Sequence, residues 1–153
     1  MIKILFVCHG NICRSPMAEF VLKDMVQKRG IADQFEIASA ATSTEELGNS
    51  VHRGTREILG RLGISCEGKT ARQMNRKDYD DYDYLIGMDS ANIRNMHRIC
   101  GGDPEGKIYK MMEFTDAHGD VADPWYTGNF ERTYQDIKAG CEGFLESVAL
   151  PKL

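Results

Sequence analysis

One stretch near the start of the chain, from Ile4 to Glu19, constrains the fold and the chemistry more than any other. An apolar, β-branched run ends at Val7 and predicts a strand, and the pattern is helical from Ser15 onward. We expect Ser15 to cap this helix and Pro16 to occupy its first position. The residues between them form a short loop that leaves a strand and opens a helix.

Such a loop is suited to bind an anion, because its backbone N–H groups and the positive end of the helix dipole converge on one point. The loop begins with Cys8 and ends with Arg14, which predicts a thiol at the floor of the cradle and a guanidinium at its lip. The guanidinium can hold two phosphate oxygens, and the positive field favours the nucleophilic thiolate. Ser15 can hydrogen-bond the sulfur as leaving group. These residues indicate phosphoryl transfer to sulfur, followed by hydrolysis.

A cysteine followed by five residues and an arginine is a weak motif by itself, and the chain contains a second copy at Cys66 to Arg72. That copy has no strong strand before it and carries a Glu that would repel phosphate, so we interpret Cys66 as a structural thiol. The first copy has Gly10, which allows close backbone approach, and Asn11, which tolerates a positive φ angle. The first copy is therefore the predicted site.

The segment from Val7 to Pro16 resembles the signature of the low-molecular-weight protein tyrosine phosphatases. The segment from Asp123 to Tyr126 resembles the late Asp-Pro-aromatic-aromatic loop of that family. Similar family segments correspond to Ser39–Thr42, Ala71–Gln73 and Met88–Asp89, so the resemblance covers essentially the whole chain. It implies hydrolysis of phosphotyrosine in proteins, and of small aryl phosphates, through a cysteinyl-phosphate intermediate. No His or Cys spacing suggests a metal site, and we expect no cofactor.

Strands alternate with helices along the chain, which predicts an α/β fold with a parallel sheet and helices on both faces. We expect residues 1–153 to form one domain, with the first strand central because its carboxyl end carries the site. The resemblance implies a three-layer sandwich with a four-stranded sheet of flavodoxin-like order. Predicted strands are Ile2–Val7, Gln34–Ala38, Tyr84–Met88 and Lys107–Tyr109; predicted helices are Met17–Arg29, Val51–Leu62, Ser90–Ile99 and Phe130–Val148, with a short helix within Thr70–Asp80.

The first chemical step also needs a proton for the departing phenolate oxygen. The candidates are Asp116, Asp120 and Asp123. We prefer Asp123 because Pro124 stiffens its loop, and because the rings of Trp125 and Tyr126 can line a deep cleft for a phosphorylated aromatic group. The resemblance implies the same residue, first as general acid and then as the base that activates water. The alternative is a turn-forming Asp-Pro with surface aromatics.

The remaining loop residues have supporting roles in this interpretation. The predicted phosphate-binding loop consists of Cys8, His9, Gly10, Asn11, Ile12, Cys13 and Arg14. We expect Asn11 to prop the loop through side-chain hydrogen bonds, and His9 to point outward and tune substrate entry. Cys13 can either pack under the loop or form a reversible disulfide with Cys8; the resemblance implies the redox role.

Three features bear on the substrate. Position 12 is Thr in similar protein-arginine phosphatases, and the branched apolar Ile12 of this chain favours phosphotyrosine. Lys69 stands where many members have His. The segment Thr44-Glu45-Glu46-Leu47 lacks the aromatic residue that many members carry at the cleft wall. The last two departures leave the preferred peptides or aryl phosphates open.

Composition restricts the partners. A net charge of −4 argues against nucleic acid, and no apolar run approaches the length of a membrane span, so we expect no membrane partner. Five cysteines without a paired framework indicate a reducing cytoplasm, which a nucleophilic thiol also requires. The expected partners are phosphotyrosine-containing proteins, with inorganic phosphate or similar oxyanions as competing ligands.

Three other functions remain open on this scaffold. An arsenate reductase would need two further redox cysteines near the first, whereas Cys66 and Cys100 are far apart in sequence. A protein-arginine phosphatase would act on a phosphoramidate. A non-catalytic phosphate-binding or redox-sensing module would bind without turnover, so phosphate release by the wild type and by Cys8→Ser separates it from an enzyme.

Overall fold

The computed structural model describes all 153 residues. The strands are β1 (Ile2–Cys8), β2 (Phe35–Ala41), β3 (Tyr84–Gly87) and β4 (Ile108–Lys110). The helices are α1 (Arg14–Lys28), α2 (Arg53–Arg61), α3 (Lys77–Asp81), α4 (Ser90–Cys100), α5 (Pro124–Thr127) and α6 (Phe130–Phe144). Short 3₁₀ turns lie at Ala32–Gln34, Met111–Phe114 and Leu150–Lys152, and a π turn covers Leu145–Ala149. None of the helices combines the length and the apolar character that a bilayer crossing requires.

All four strands are parallel, in the order β2-β1-β3-β4. One edge of β1 pairs with β2 over its whole length, so Cys8 lies opposite Ala41. The other edge pairs with β3, where Val7 lies opposite Gly87. The predicted α/β fold and the interior position of the first strand are therefore confirmed. Cys8 lies at the carboxyl end of the strand where the chain changes its winding direction, which is where open α/β sheets bind ligands.

Helices cover both faces of the sheet. Ile4 and Phe6 of β1 pack in the larger core with residues of α1, α2 and α6. Leu5 and Val7 point to the opposite face and pack in a smaller core with residues of α3 and α4. Since β1 is buried on both faces, its sequence is a continuous apolar run rather than an alternating one. This double burial holds the end of β1, and with it Cys8, in one position.

Two boundaries near the site differ from the predictions. Helix α1 begins at Arg14, so Cys13 is the N-cap, Ser15 lies inside the first turn, and Pro16 is the third helical residue rather than the predicted first. The prediction that Ser15 caps the helix is wrong because its hydroxyl contacts the sulfur of Cys8 instead. Strand β2 continues to Ala41, since its last three residues pair with the end of β1. The other predicted elements agree with the observed ones to within a few residues, although α6 ends at Phe144 and continues as the π turn. Helix α5 was not predicted.

Candidate active site

Cys8 ends β1 and is almost completely buried, with 2% of its surface exposed. Its Sγ lies 3.0 Å from the hydroxyl oxygen of Ser15, and the Ser15 N–H donates to the sulfur at 3.4 Å. The sulfur thus faces the amino end of the fifteen-residue helix α1, where the helix dipole stabilises negative charge.

The six backbone N–H groups of residues 9 to 14 donate to no other backbone group. The carbonyls of the same peptides are held from outside the loop: Thr42 N donates to Cys8 O at 3.0 Å, Ser43 N to His9 O at 3.1 Å and His52 N to Ile12 O at 2.8 Å, and Thr55 Oγ1 donates to Cys13 O at 3.1 Å. In a trans peptide the C=O and the N–H point in opposite directions. Each of these bonds holds a carbonyl that points out of the loop, so the N–H of the same peptide, at residues 9, 10, 13 and 14, points the other way, into the loop. These unpaired N–H groups can bind an anion.

Asn11 gives the loop its sharp bend. Its φ angle is 59°, in the left-handed region that Asn tolerates better than most residues. Its side-chain amide donates to the hydroxyl of Ser15 at 2.8 Å and to that of Ser39 at 2.9 Å, and its Oδ1 accepts from Arg72 N at 3.3 Å. These bonds tie the loop to α1, to the end of β2 and to the segment after residue 70.

Arg14 lies in the buried wall of the site rather than at an exposed lip, with only 2% of its surface exposed. Its Nη1 donates to Asp89 Oδ2 at 2.7 Å and to the Val121 carbonyl at 2.9 Å, and its Nη2 lies 3.3 Å from Asp123 Oδ2. Burial alone lowers the pKa of Arg14, but Cys8 and the two carboxylates outweigh it and raise the pKa above its ordinary value. The guanidinium is therefore charged at any working pH.

The carboxylate of Asp89 has two contacts. Its Oδ1 accepts from Asn92 N at 2.7 Å and caps α4. Its Oδ2 holds Arg14. The second contact was missed because Arg14 lies 75 residues away in the sequence. The only signal was that Met88–Asp89 belongs to the segments that resemble the family.

Asp123 is the one aspartate of the three candidates that lines the cleft. It caps α5, where its Oδ1 accepts from Trp125 N at 3.0 Å, and its side chain is 24% exposed. The preceding segment is attached to the sheet by the bond from Val121 N to Met88 O, at 2.9 Å. A carboxyl group held at this edge can exchange a proton with a leaving oxygen or with water. Asp120, in contrast, pairs with Lys110 at 3.0 Å.

A cleft of about 120 Å³ opens above the cysteine. It is lined by Cys8, His9, Gly10, Ile12, Cys13, Arg14, Glu45, Glu46, Asp123, Trp125 and Tyr126. The two rings are well exposed, Trp125 at 60% and Tyr126 at 85%. The two glutamates come from the loop after β2, and His9 Nε2 lies 2.9 Å from Glu45 Oε2. The sequence showed that this segment lacks an aromatic residue, but it did not show that the two glutamates line the cleft.

His52 supports the aromatic side of the cleft, and sequence reasoning missed this residue. Its ring stacks on Phe130, with centroids 5.1 Å apart, and meets Trp125 edge-on at 5.9 Å. Its Nδ1 accepts from Gly54 N at 3.0 Å and caps α2. A Cβ at Gly54 would lie 2.5 Å from the ring of Phe130, so the glycine permits this stack. Trp125 is therefore anchored along one edge although most of its ring is exposed.

Cys13 is buried in the same loop and differs chemically from a nucleophile. Burial raises its pKa to about 12, and the negative charges of Cys8 and Asp123 act in the same direction. Cys13 is therefore a protonated thiol at neutral pH. No group of three or more His, Cys, Asp or Glu side chains is arranged to hold a metal ion.

Comparisons with known proteins agree with this geometry. A family model described as low molecular weight phosphotyrosine protein phosphatase matches residues 3–152. The low molecular weight protein-tyrosine-phosphatase YfkJ of Bacillus subtilis is 44% identical over 154 residues, covering 99% of each chain. The corresponding phosphatase PtpA of Staphylococcus epidermidis is 37% identical over 149 residues, covering 97% of this chain and 94% of the relative.

Solved structures show the same similarity. The crystal structure of B. subtilis YfkJ superposes with a TM-score of 0.96, covering 100% of this chain and 98% of the other, at 44% identity. A protein tyrosine phosphatase from Entamoeba histolytica, crystallised with Hepes in its active site, superposes with a TM-score of 0.91 over the full length of both chains, at 29% identity.

Proposed function

The chain belongs to the low molecular weight phosphotyrosine protein phosphatases, and from that membership we propose which of its residues carry out the hydrolysis of phosphotyrosine. Cys8 is the nucleophile, Arg14 and the N–H groups of residues 9 to 14 bind the phosphoryl group, and Asp123 moves the proton. The observation that carries this assignment is the run of six unpaired N–H donors that follows Cys8, whose sulfur lies at the amino end of a helix.

In the first step the Sγ of Cys8 attacks phosphorus. The S–P bond forms while the bond from phosphorus to the phenolic oxygen breaks, and Asp123 donates its proton to that oxygen. The three remaining phosphoryl oxygens face the loop N–H groups and the Arg14 guanidinium. Because these donors are already oriented, they stabilise the transferring group without reorganisation.

In the second step a water molecule attacks the phosphorus of the cysteinyl phosphate. Asp123, now a carboxylate, accepts the proton of the water, and the S–P bond breaks to release inorganic phosphate. The electron pair returns to the Cys8 sulfur, where the hydroxyl and the N–H of Ser15 lie at 3.0 and 3.4 Å and stabilise the departing thiolate.

The residues that line the cleft favour an aromatic phosphate ester over an aliphatic one. The loop that binds phosphate shares its cleft with the rings of Trp125 and Tyr126 and with the apolar side chain of Ile12. A flat ring attached to the phosphate can pack against these apolar groups. The proposed partners are phosphotyrosine-containing proteins, with phosphate or similar oxyanions as competing ligands and no nucleic acid or membrane. A thiol nucleophile favours a reducing compartment such as the cytoplasm.

The decisive experiment measures phosphate release from p-nitrophenyl phosphate, a phosphotyrosine peptide and the matched phosphoarginine peptide. We expect wild-type turnover with the two aryl phosphates, and turnover at background level for Cys8→Ser. Cys66→Ser is the matched control because Cys66 begins the second Cys-x5-Arg segment, and it should retain activity.

Retained activity in Cys8→Ser would contradict the proposed nucleophile. A higher kcat/KM for the phosphoarginine peptide would identify a protein-arginine phosphatase instead. Binding of phosphate without any turnover would identify a non-catalytic module.

A further inference from the structure

We propose that the enzyme prefers phosphotyrosine flanked by Lys or Arg, because Glu45 and Glu46 form a fixed acidic wall at the mouth of the cleft. This inference rests on the proposed function of the site and concerns the peptide around the phosphorylated tyrosine. The acidic wall stands where the sequence lacks the expected aromatic residue.

The charges that line the cleft are unbalanced towards the acidic side. Three acidic residues line it, Glu45, Glu46 and Asp123, against one arginine, Arg14. Arg14 is buried and already bonded to carboxylates, and His9 contacts Glu45 at 2.9 Å. The side chain of Glu45 is 68% exposed, so its charge acts on whatever enters the cleft.

The acidic wall is held in place by the phosphate-binding loop. The carbonyl of His9 accepts from both the N–H and the hydroxyl of Ser43, at 3.1 and 2.9 Å, and the His9 ring holds Glu45. Glu46 Oε2 accepts from Asn49 Nδ2 at 2.6 Å, and its aliphatic stem lies 3.3 Å from where a Cβ of Gly10 would be. The stem of Glu46 therefore packs over the loop, and the bond from Asn49 orients its carboxylate.

The positive and the negative regions of the site act on different parts of a substrate. The floor, made of N–H groups and Arg14, faces the phosphate, whereas the acidic wall faces the residues beside the tyrosine. The same cleft is lined by the exposed rings of Trp125 and Tyr126, which attract cations through their faces. A Lys or Arg next to the phosphotyrosine thus meets both carboxylates and aromatic rings, while an Asp or Glu is repelled.

The experiment compares three peptides with one phosphotyrosine each, flanked on both sides by Lys, by Ala or by Glu. Exposed ion pairs change an equilibrium by roughly two- to fivefold each, so we expect kcat/KM of the basic peptide to exceed that of the acidic one about tenfold at low ionic strength. The ratio should shrink in 0.5 M NaCl because salt screens exposed charges.

The double variant Glu45→Gln, Glu46→Gln keeps the shape of the acidic wall and removes its charge, so the basic-to-acidic ratio should fall close to one. Glu67→Gln is the matched control: it removes one carboxylate from an exposed position outside the cleft and should leave the ratio unchanged. Circular dichroism checks that the variants are folded.

Equal kcat/KM for the basic and acidic peptides in the wild type at low salt would overturn the preference. A ratio unaffected by the double variant would overturn the assignment to the acidic wall. Both outcomes differ from a failure of the proposed function, in which the wild type would hydrolyse none of the three peptides.

Discussion

The hydroxyl oxygen of Ser15 lies 3.0 Å from the sulfur of Cys8, and its hydrogen is free to point at that sulfur. The reason is that Asn11 already donates an amide hydrogen to the same oxygen, at 2.8 Å. The second amide hydrogen of Asn11 goes to Ser39, whose hydroxyl donates in turn to the buried carboxylate of Glu19 at 2.6 Å. The buried carboxylate therefore sets the direction of hydrogen bonds that end at the proposed nucleophile.

Ser15→Ala removes the only hydroxyl in contact with the sulfur. We expect kcat for p-nitrophenyl phosphate to fall roughly tenfold to a hundredfold, because a hydrogen bond to a charged group contributes about 1.5–3 kcal/mol. Release of the thiolate should suffer most, so stopped-flow traces should show a burst of p-nitrophenol before a slow steady state. Ser65→Ala, at an exposed position away from the sulfur, is the control. An unchanged kcat would contradict the role of Ser15.

Asp123→Asn should affect substrates according to their leaving group. Asn still caps α5, so the loop keeps its conformation. For phenyl phosphate, whose leaving oxygen needs the proton, we expect kcat/KM, which reports the step that releases the phenol, to fall about 10²–10⁴-fold, and much less for p-nitrophenyl phosphate. Asp120→Asn is the matched control, since Asp120 lies in the same segment but outside the cleft. A loss of the same size for both substrates would indicate that another group is the acid.

The two contacts of Asp89 can be separated by substitution. Asp89→Asn and Asp89→Ala both remove the charge that holds Arg14, so kcat/KM should drop about tenfold or more in each, since misplaced catalytic groups cost up to about a hundredfold. Only Ala loses the cap of α4, so urea denaturation should show it less stable than Asn by about 1 kcal/mol. Equal stability of the two variants, or wild-type kcat/KM in Asp89→Asn, would contradict this division.

Buried thiols should make the protein sensitive to alkali. Burial raises the pKa of Cys13 to about 12 and that of Cys100 to about 11, and it raises the pKa of Cys141 as well. In the unfolded chain these thiols ionise near pH 9, at a lower pH than in the folded protein. The stability that comes from keeping them protonated is therefore complete below pH 9 and is lost as pH rises towards the pKa values of the folded protein.

Each thiol contributes a slope of up to about 1.4 kcal/mol per pH unit to the free energy of unfolding. Urea titrations at pH 8, 9 and 10 should therefore show a falling stability, and Cys100→Ala should make the slope shallower. An identical slope in that variant would show that Cys100 is not responsible.

Replacing two helical glycines by alanine should change the stability of the protein in opposite directions. A Cβ at Gly143, in α6, would lie 1.9 Å from the carbonyl oxygen of Phe114, a backbone atom that cannot move without shifting its turn. Gly143→Ala should destabilise the protein by about 3 kcal/mol or more. Gly60, in α2, has nothing within 4 Å, so Gly60→Ala should stabilise by about 0.5–1 kcal/mol. Denaturation midpoints measure both; a tolerated Gly143→Ala would contradict the close packing.

The sequence by itself determined the strand, the loop and the helix around Cys8, because their signals are local. Apolar periodicity, the turn residues and the cysteine-to-arginine spacing all lie within sixteen residues, from Ile4 to Glu19. The alternation of elements also predicted the parallel sheet and its interior first strand. The local pattern gave the wrong role for Ser15, which was predicted to cap the helix and contacts the sulfur of Cys8 instead. A hydroxyl near both a helix N-terminus and a thiol can bond to either, and the sequence does not say which.

Only the tertiary structure decided what surrounds Arg14 and which charges face the substrate. Arg14 meets Asp89 and Asp123 across 75 and 109 residues of sequence. The ends of parallel strands gather distant loops at one edge of the sheet, and no local pattern specifies which side chains meet there. The same gathering sets Glu45 and Glu46 over the phosphate-binding loop, so the charge of the cleft depends on the packing of loops rather than on any motif.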